Sequence, residues 1–289
     1  MFVITGVTGN TGGVVAETLL SQGKKVRVVV RDAAKGEPWK ARGAEVAVAK
    51  LEDPKALAAA FAGASGAYLL LPPRMGAADV IAEQKSVADS IVQAIAEANV
   101  PHVVLLSSIG AQNEDGNGPI KTLHYAEHRL EENTKAKLTF VRAAYFLENW
   151  GAVAAATKGG KLPTFIRPDF AIPMVATRDI GLVAARALAE GPPASRIDVI
   201  ELAGPKDWSP IEIAKAFADT LGRDVAPDAA PFEAVVPALT SFGISKSVAE
   251  NFEEMYRGIE NGKVAWQGSG ARLVRGSVDA DSIAKALVS

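Results

Sequence analysis

The turn Gly6-Val7-Thr8-Gly9-Asn10-Thr11-Gly12-Gly13 constrains this chain more than any other stretch. It follows a continuous apolar run, Phe2 to Thr5, and opens a helical pattern from Thr11 to Gln22, with Val14, Val15, Thr18 and Leu19 on its inner face. Glycines at 6, 9 and 12 between a strand and a helix have a physical reading. Gly6 permits the tight turn, Gly9 lets the backbone approach a pyrophosphate, and Gly12 allows close helix–strand packing. The helix N-terminus then offers N–H groups and a partial positive charge to the phosphates. Gly6, Thr8, Gly9, Asn10, Thr11 and Gly12 are therefore expected at a dinucleotide. The bland alternative is a βα turn that happens to hold glycine.

The second strand, Val26 to Val30, ends at Arg31, nineteen residues past Gly12. An NAD site usually places an acid there to hold the ribose hydroxyls. A guanidinium suits a 2′-phosphate instead, through bidentate hydrogen bonds, and Lys35 adds a second positive charge. The expected cofactor is NADP(H), with NADPH preferred over NADH. In the competing reading Arg31 is a solvated strand-end charge and Asp32 holds the ribose.

Further strands are read at Val46–Ala49, Ala67–Leu71, Val103–Leu106 and Leu138–Val141, separated by helical patterns. Asp53-Pro54 opens one helix, Gly63 closes it, and a long helix occupies about 78–98. Strands apolar on both faces imply a parallel sheet covered on both sides. The fold class expected is α/β, a Rossmann-type doubly wound parallel sheet over residues 1–150 with a smaller C-terminal α/β substrate lobe over 151–289. About 172–205 should return a strand and a helix to the Rossmann sheet. Ser209-Pro210-Ile211-Glu212 reads as a capping box opening a helix to Leu221. A short strand is expected near Phe232–Val236 and a helix across Ser247–Glu260.

With 289 residues, 48% of them hydrophobic, a large core is available. A net charge of −2 with scattered Lys and Arg argues against nucleic acid. No cysteine is present, so thiolate nucleophiles and cysteine-ligated metals are excluded. The longest apolar runs are too short to span a bilayer, and MFVITG leads straight into a strand. The expectation is a cytoplasmic protein with no membrane span, a small-molecule electrophilic substrate and possible homodimers.

The blocks GVTGNTGG, VRVVVRD, LLLPP, VVLLSSIGA, TFVRAAYFLEN, VATRDIG and SPIEIAKAFADTLGR, in this order, resemble the NmrA-like family of atypical short-chain dehydrogenase/reductases. The resemblance implies strand order 3-2-1-4-5-6 and a cleft at the carboxyl ends of the strands. It implies Leu71, Pro72, Ser107 and Ser108 along the cofactor. It implies a reductase of quinones, dyes or other flat electrophiles, or else a catalytically silent NADP sensor that binds a protein partner. Four positions depart from the pattern. Lys50 stands where an Asp near the adenine is common, leaving open whether it meets the adenine or the 2′-phosphate. His128 stands where some family reductases carry an active-site Lys. Ile109 occupies the catalytic serine position, and Tyr125 with Arg129 reads YxxxR in place of YxxxK.

His124, Tyr125 and His128 share one helix after the fifth strand, and the two histidines share a face. An imidazole at the cleft could protonate a developing oxyanion. These three are the catalytic candidates, against a plain helix-surface reading. No HExxH accompanies the pair, so no metal is expected. Tyr145, Phe146 and Asn149 follow the sixth strand and could wall a flat acceptor, or pack the lobes together.

Overall fold

All residues from Met1 to Ser289 are described by the computed structural model. The first half alternates β1 (Phe2–Ile4), α1 (Gly12–Ser21), β2 (Val26–Val30), α2 (Glu37–Ala41), β3 (Glu45–Val48), α3 (Pro54–Phe61), β4 (Gly66–Leu69), α4 (Val80–Glu97), β5 (His102–Ser108), α5 (Lys121–Asn133) and β6 (Lys137–Ala143). Then come β7 (Tyr145–Phe146), α6 (Ala154–Thr157), β8 (Lys161–Thr164), β9 (Ile172–Val175), α7 (Thr177–Glu190), β10 (Ile197–Ala203), β11 (Asp207–Trp208) and α8 (Pro210–Leu221). The chain finishes with β12 (Ala226–Ala229), α9 (Val235–Ser241), α10 (Lys246–Glu260), β13 (Arg272–Arg275) and α11 (Ala280–Val288).

Eight strands form the central sheet in the order β13-β10-β6-β5-β4-β1-β2-β3. Every neighbouring pair in it is parallel. The order reverses between β4 and β1, the switch point at which such sheets open a crevice. Both faces are covered. Leu57 and Phe61 of α3, Val87, Ile91 and Ile95 of α4 and Leu130 of α5 pack on one face. Val15 and Leu19 of α1 and Ile180, Ala184 and Leu188 of α7 pack on the other. The strands between are apolar on both sides for this reason.

Residues of the second half divide their allegiance. Strand β10 joins the main sheet beside β6, and α7 packs against α1 and the sheet, whereas β9 pairs with β7 and β11 in a separate small sheet. A third core forms around Leu147, Trp150, Leu162, Met174, Ile213 and Phe217. The caps read from sequence are present at Asp53 and at Ser209, where the capping box closes with Glu212. One expectation fails. Residues 232–241 are helical, a single 3-10 turn running into α9, not a strand. Pro237 falls in the first turn of α9, where its missing N–H has no helical partner to lose, so it does not stop the helix.

Helix α10 is tied across the carboxyl ends of the strands. Ser245 N–H donates to Met75 O (2.9 Å), Val80 N–H to Ser247 Oγ (3.1 Å), and Gly116 N–H to Glu254 (2.9 Å). Segment 261–271 then doubles back over the loop after β5. Gln112 donates to Ala265 O (2.9 Å) and Asn113 to Lys263 O (2.7 Å) before the chain enters β13.

Candidate functional site

The glycine turn sits at the switch point, and each glycine has its own reason. Gly6 has φ +67°, and a Cβ there would meet Leu70 at 2.6 Å. A Cβ on Gly12 would lie 2.6 Å from both Gly6 O and Thr5 O, so only hydrogen lets α1 approach β1 this closely. Gly9 is different. Its Cβ would touch only Gly6 O, at 3.4 Å, and Thr8, Gly9 and Asn10 form an exposed tip. The N-terminus of α1 has no side-chain cap and no acid in its first turn. An open tip beside uncapped N–H groups fits a pyrophosphate.

Thr11 carries a correction. Its side chain faces inward and accepts a hydrogen bond from the hydroxyl of Tyr68 (2.9 Å), a fully buried phenol that burial pushes to higher pKa. Thr11 pins the turn to β4, with its side chain turned inward from the exposed tip.

The ends of β2 and β3 are cationic. Ala49 N–H donates to Val30 O (2.9 Å), which brings the exits to Arg31 and Lys50 alongside each other. Arg31, Lys35 and Lys50 are exposed and form no ion pair. Of the acids nearby, Asp32 accepts from Ala34 N–H (3.0 Å), Asp53 accepts from Ala56 N–H (3.0 Å), and Glu52 pairs with Arg74, while Glu37 is exposed at the start of α2. Exposed cations without ion pairs can take an anion.

Beyond β4, Leu71 and Pro72 form a half-buried edge. Gln84 of α4, which sequence reasoning missed, fixes it by donating to Pro72 O (2.8 Å). The other amide atom, Gln84 Oε1, is buried without a partner, an acceptor free for a ligand N–H. The serines ending β5 diverge. Ser108 Oγ donates to Ile109 O (3.0 Å), whereas Ser107 Oγ faces α5 and donates to Glu127 (2.6 Å).

That contact opens a buried network also missed from sequence. Glu127 and Arg142 form a two-pronged ion pair (Nε–Oε1 3.0 Å, Nη2–Oε2 2.5 Å), both nearly inaccessible. Arg142 reaches Gln267 with its remaining nitrogen (2.5 Å), and Glu201 accepts the backbone N–H groups of Gln267 and Gly268. Ser107, Arg142 and Glu201 are register neighbours on β5, β6 and β10, so they occupy one row on one face. The row straps segment 261–271 onto the strand ends.

The catalytic candidates separate. Tyr125 points to α4, where its hydroxyl donates to Asp89 (2.9 Å) and Arg129 joins the same carboxylate (2.8 Å). The YxxxR pair is thus an α4–α5 clasp, turned away because Ala126, Glu127 and Leu130 take the sheet-facing side of α5. His124 contacts Ala111 O through Nδ1 (2.8 Å). His128 lies exposed, with its ring 4.2 Å from that of His124 and its Nδ1 on the His124 carbonyl (2.9 Å). Tyr145 packs beside Trp150 (ring centres 6.3 Å apart) on the third core, which Tyr256 of α10 also joins, while Phe146 packs against the α1–α7 core. A surface depression of about 630 Å³ lies among α1, α7 and α11 and reaches the glycine turn at Asn10.

Sheet order, glycine turn and covering helices define a Rossmann-type α/β protein. The chain belongs to the NmrA-like family, whose description it matches over residues 1–286. It is 28% identical over 258 residues to an NAD(P)H azoreductase of Xenophilus azovorans, covering 89% of this chain and 86% of that one. Its fold matches that of Citrobacter sp. triphenylmethane reductase complexed with NADP(H), with TM-score 0.83 and 21% identity over 99% of this chain and 100% of the other. It also matches an NADPH-dependent quinone oxidoreductase of Escherichia coli complexed with NADPH, with TM-score 0.84 and 22% identity over the whole of both chains. No helix is long and apolar enough to cross a membrane.

Proposed function

We propose that this protein is an NADPH-dependent reductase of flat conjugated electrophiles such as azo compounds and quinones. The observation that carries the cofactor is the set of exposed cations without ion pairs, Arg31, Lys35 and Lys50, at and just after the ends of β2 and β3. These residues would hold the 2′-phosphate. The tip Thr8–Asn10 and the N-terminus of α1 would hold the pyrophosphate, and Leu71, Pro72 and Gln84 would border the ring that reacts. The azo-, dye- and quinone-reducing relatives support the acceptor class.

When bound, the reduced nicotinamide supplies a hydride. The protein supplies position: it lays an acceptor between the β4 edge and the aromatic residues after β6, and excludes water from between the reacting atoms. A second reading, a non-catalytic NADP(H) sensor with a protein partner, has one observation in its favour. Tyr125, which a Ser-Tyr-Lys enzyme would use, is tied to Asp89, and Ile109 stands at the catalytic serine position.

Removing the guanidinium tests the cofactor assignment. Arg31→Ala should weaken NADPH by about 1.5–3 kcal/mol, as for a lost charged hydrogen bond, and NADH far less. Fluorescence titration with both cofactors measures this, and equal losses would reject a 2′-phosphate at Arg31. NADPH oxidation against a panel of azo dyes and quinones separates the two readings. Binding without turnover of any of them would leave the sensor.

A further inference from the structure

The stretch between α10 and β13 belongs to no helix or strand. It begins and ends on glycines with left-handed backbone, Gly262 at φ +81° and Gly270 at φ +83°. Between them Val264, Ala265 and Trp266 are half-buried, and Lys263 and residues 267–269 are exposed. One backbone pair joins this stretch to the body, Val264 N–H to Gly258 O (2.9 Å). Its other ties run through side chains. Gln112 and Asn113 donate to the carbonyls of Ala265 and Lys263, and Lys263 pairs with Asp115 (3.1 Å). Glu201 accepts the N–H groups of Gln267 and Gly268, and Arg142 donates to Gln267 Oε1 (2.5 Å). Backbone held mainly by side chains can part from them without breaking a sheet or a helix.

What lies beneath is charged. Glu127 and Glu201 are 3% exposed and Arg142 is 5% exposed. Uncovering hydrocarbon is costly, whereas uncovered ions regain their hydration. A row of ions is therefore suited to a cover that lifts. Closed, the row has its partners in the chain. Arg142 gives two N–H groups to Glu127 and a third to Gln267, and Glu201 takes two from the cover. Open, water replaces what the cover supplied.

We propose that residues 262–270 are a hinged cover that opens as a unit about Gly262 and Gly270, with Gln267 as its latch. Opening bares Ser107, Arg142 and Glu201 at the carboxyl ends of β5, β6 and β10. Strand ends of this kind border the crevice in which doubly wound sheets take their ligands. The cover thus sets access to the β10 side of that crevice. The proposal rests on contacts within the chain and stands apart from the reductase reading.

Hydrogen exchange of the protein without added ligand tests this, with the amides of Val264, Gln267 and Gly268 compared with those of β5 and β6. In wild type the cover amides should exchange at least about tenfold faster than the strand amides and respond little to low urea, as local opening does. Gln267→Leu keeps the bulk and removes the acceptor, so Arg142 has an unpaired N–H for as long as the cover is closed. Exchange at Val264 and Gly268 should then rise about 10- to 100-fold, as for a lost charged hydrogen bond, with β5 and β6 unchanged. Lys263→Ala removes only the exposed pair with Asp115 and should change exchange less than about fivefold. Cover amides that exchange only together with the strands overturn the proposal, as do cover amides unchanged by Gln267→Leu. Acceleration spread equally over cover and strands also overturns it, because that is a loss of global stability. A Lys263→Ala effect as large as that of Gln267→Leu would remove Gln267 as the latch.

Discussion

Two alanine substitutions one helical turn apart should have opposite effects, because the glycines they replace do different jobs. At Gly12 a Cβ would lie 2.6 Å from two backbone oxygens, about 0.8 Å inside the 3.4 Å at which ordinary contact begins. Neither oxygen belongs to a flexible side chain, so β1 and α1 must separate. Overpacking of this kind costs about 1–3 kcal/mol, and at this chain length that is a fall of about 2–6 °C in Tm. At Gly9 the same methyl meets one oxygen at 3.4 Å, and φ is not left-handed, so stability should stay within about 0.5 kcal/mol. The Gly9 methyl instead projects from the exposed tip that the phosphates must approach. Loss of one charged hydrogen bond, about 1.5–3 kcal/mol, lowers NADPH affinity by at least about tenfold. Thermal melts monitored by circular dichroism and NADPH titrations of both variants measure the pair. A Gly9→Ala protein that binds NADPH like wild type, or a Gly12→Ala protein that melts like wild type, would refute this division of roles.

Two further predictions concern the buried charges. Burial holds the His102 imidazole down to about 4, against the pull of Asp198. Between pH 6.5 and 4 the unfolded chain therefore binds a proton that the folded chain refuses, and stability falls as pH drops through that window, by up to about 3 kcal/mol. Urea melts from pH 4 to 7 should show a shallower fall for His102→Gln, and parallel curves would exclude His102 as the cause. Arg142→Met should cost about 3–5 kcal/mol by leaving Glu127 buried and unpaired, and Arg142→Met combined with Glu127→Leu should recover much of it. A single variant as stable as wild type would show the pair to be unimportant.

The parts of the fold written locally were legible. A strand, three spaced glycines and an amphipathic helix within residues 2–22 announce the turn, and Ser209 and Glu212 announce the start of α8. What depends on distant pairing was not. Glu127 and Arg142 stand fifteen residues apart, and only the β5–β6 register and the burial of one side of α5 bring them together. Tyr256 joins the same core as Tyr145 because α10 is tied to loops after β4 and β5, through contacts such as Ser245 to Met75 that leave no local mark. The same blindness misplaced Tyr125 and Arg129. The YxxxR spacing says nothing of which face of the helix meets the sheet, and that is decided by Ala126, Glu127 and Leu130. Residues 232–236 misled for another reason: a short apolar run with β-branched residues fits a strand or a helix equally well.

The order of strands explains why the two ends of the site differ so much in character. With β3, β2 and β1 on one side of the switch point and β4, β5 and β6 on the other, a ligand laid across the carboxyl edge must run from one group to the other. The first group ends in Arg31 and Lys50, with Lys35 in the turn that follows β2, all exposed and free. The second leads into the aromatic residues Tyr145 and Trp150, with the Glu127–Arg142 pair sealed beneath and joined to Glu201 through Gln267. A net charge of −2 conceals this separation, because Asp32 and Asp53 are spent on caps and Glu52 on Arg74. Between the two ends lies the uncapped N-terminus of α1. A molecule that satisfies all three regions must carry a phosphate at one end, a pyrophosphate in the middle and a flat ring at the other. A phosphorylated nicotinamide dinucleotide meets those demands, and an NADH-like ligand meets them only in part, because it leaves three cations at the first end without a partner.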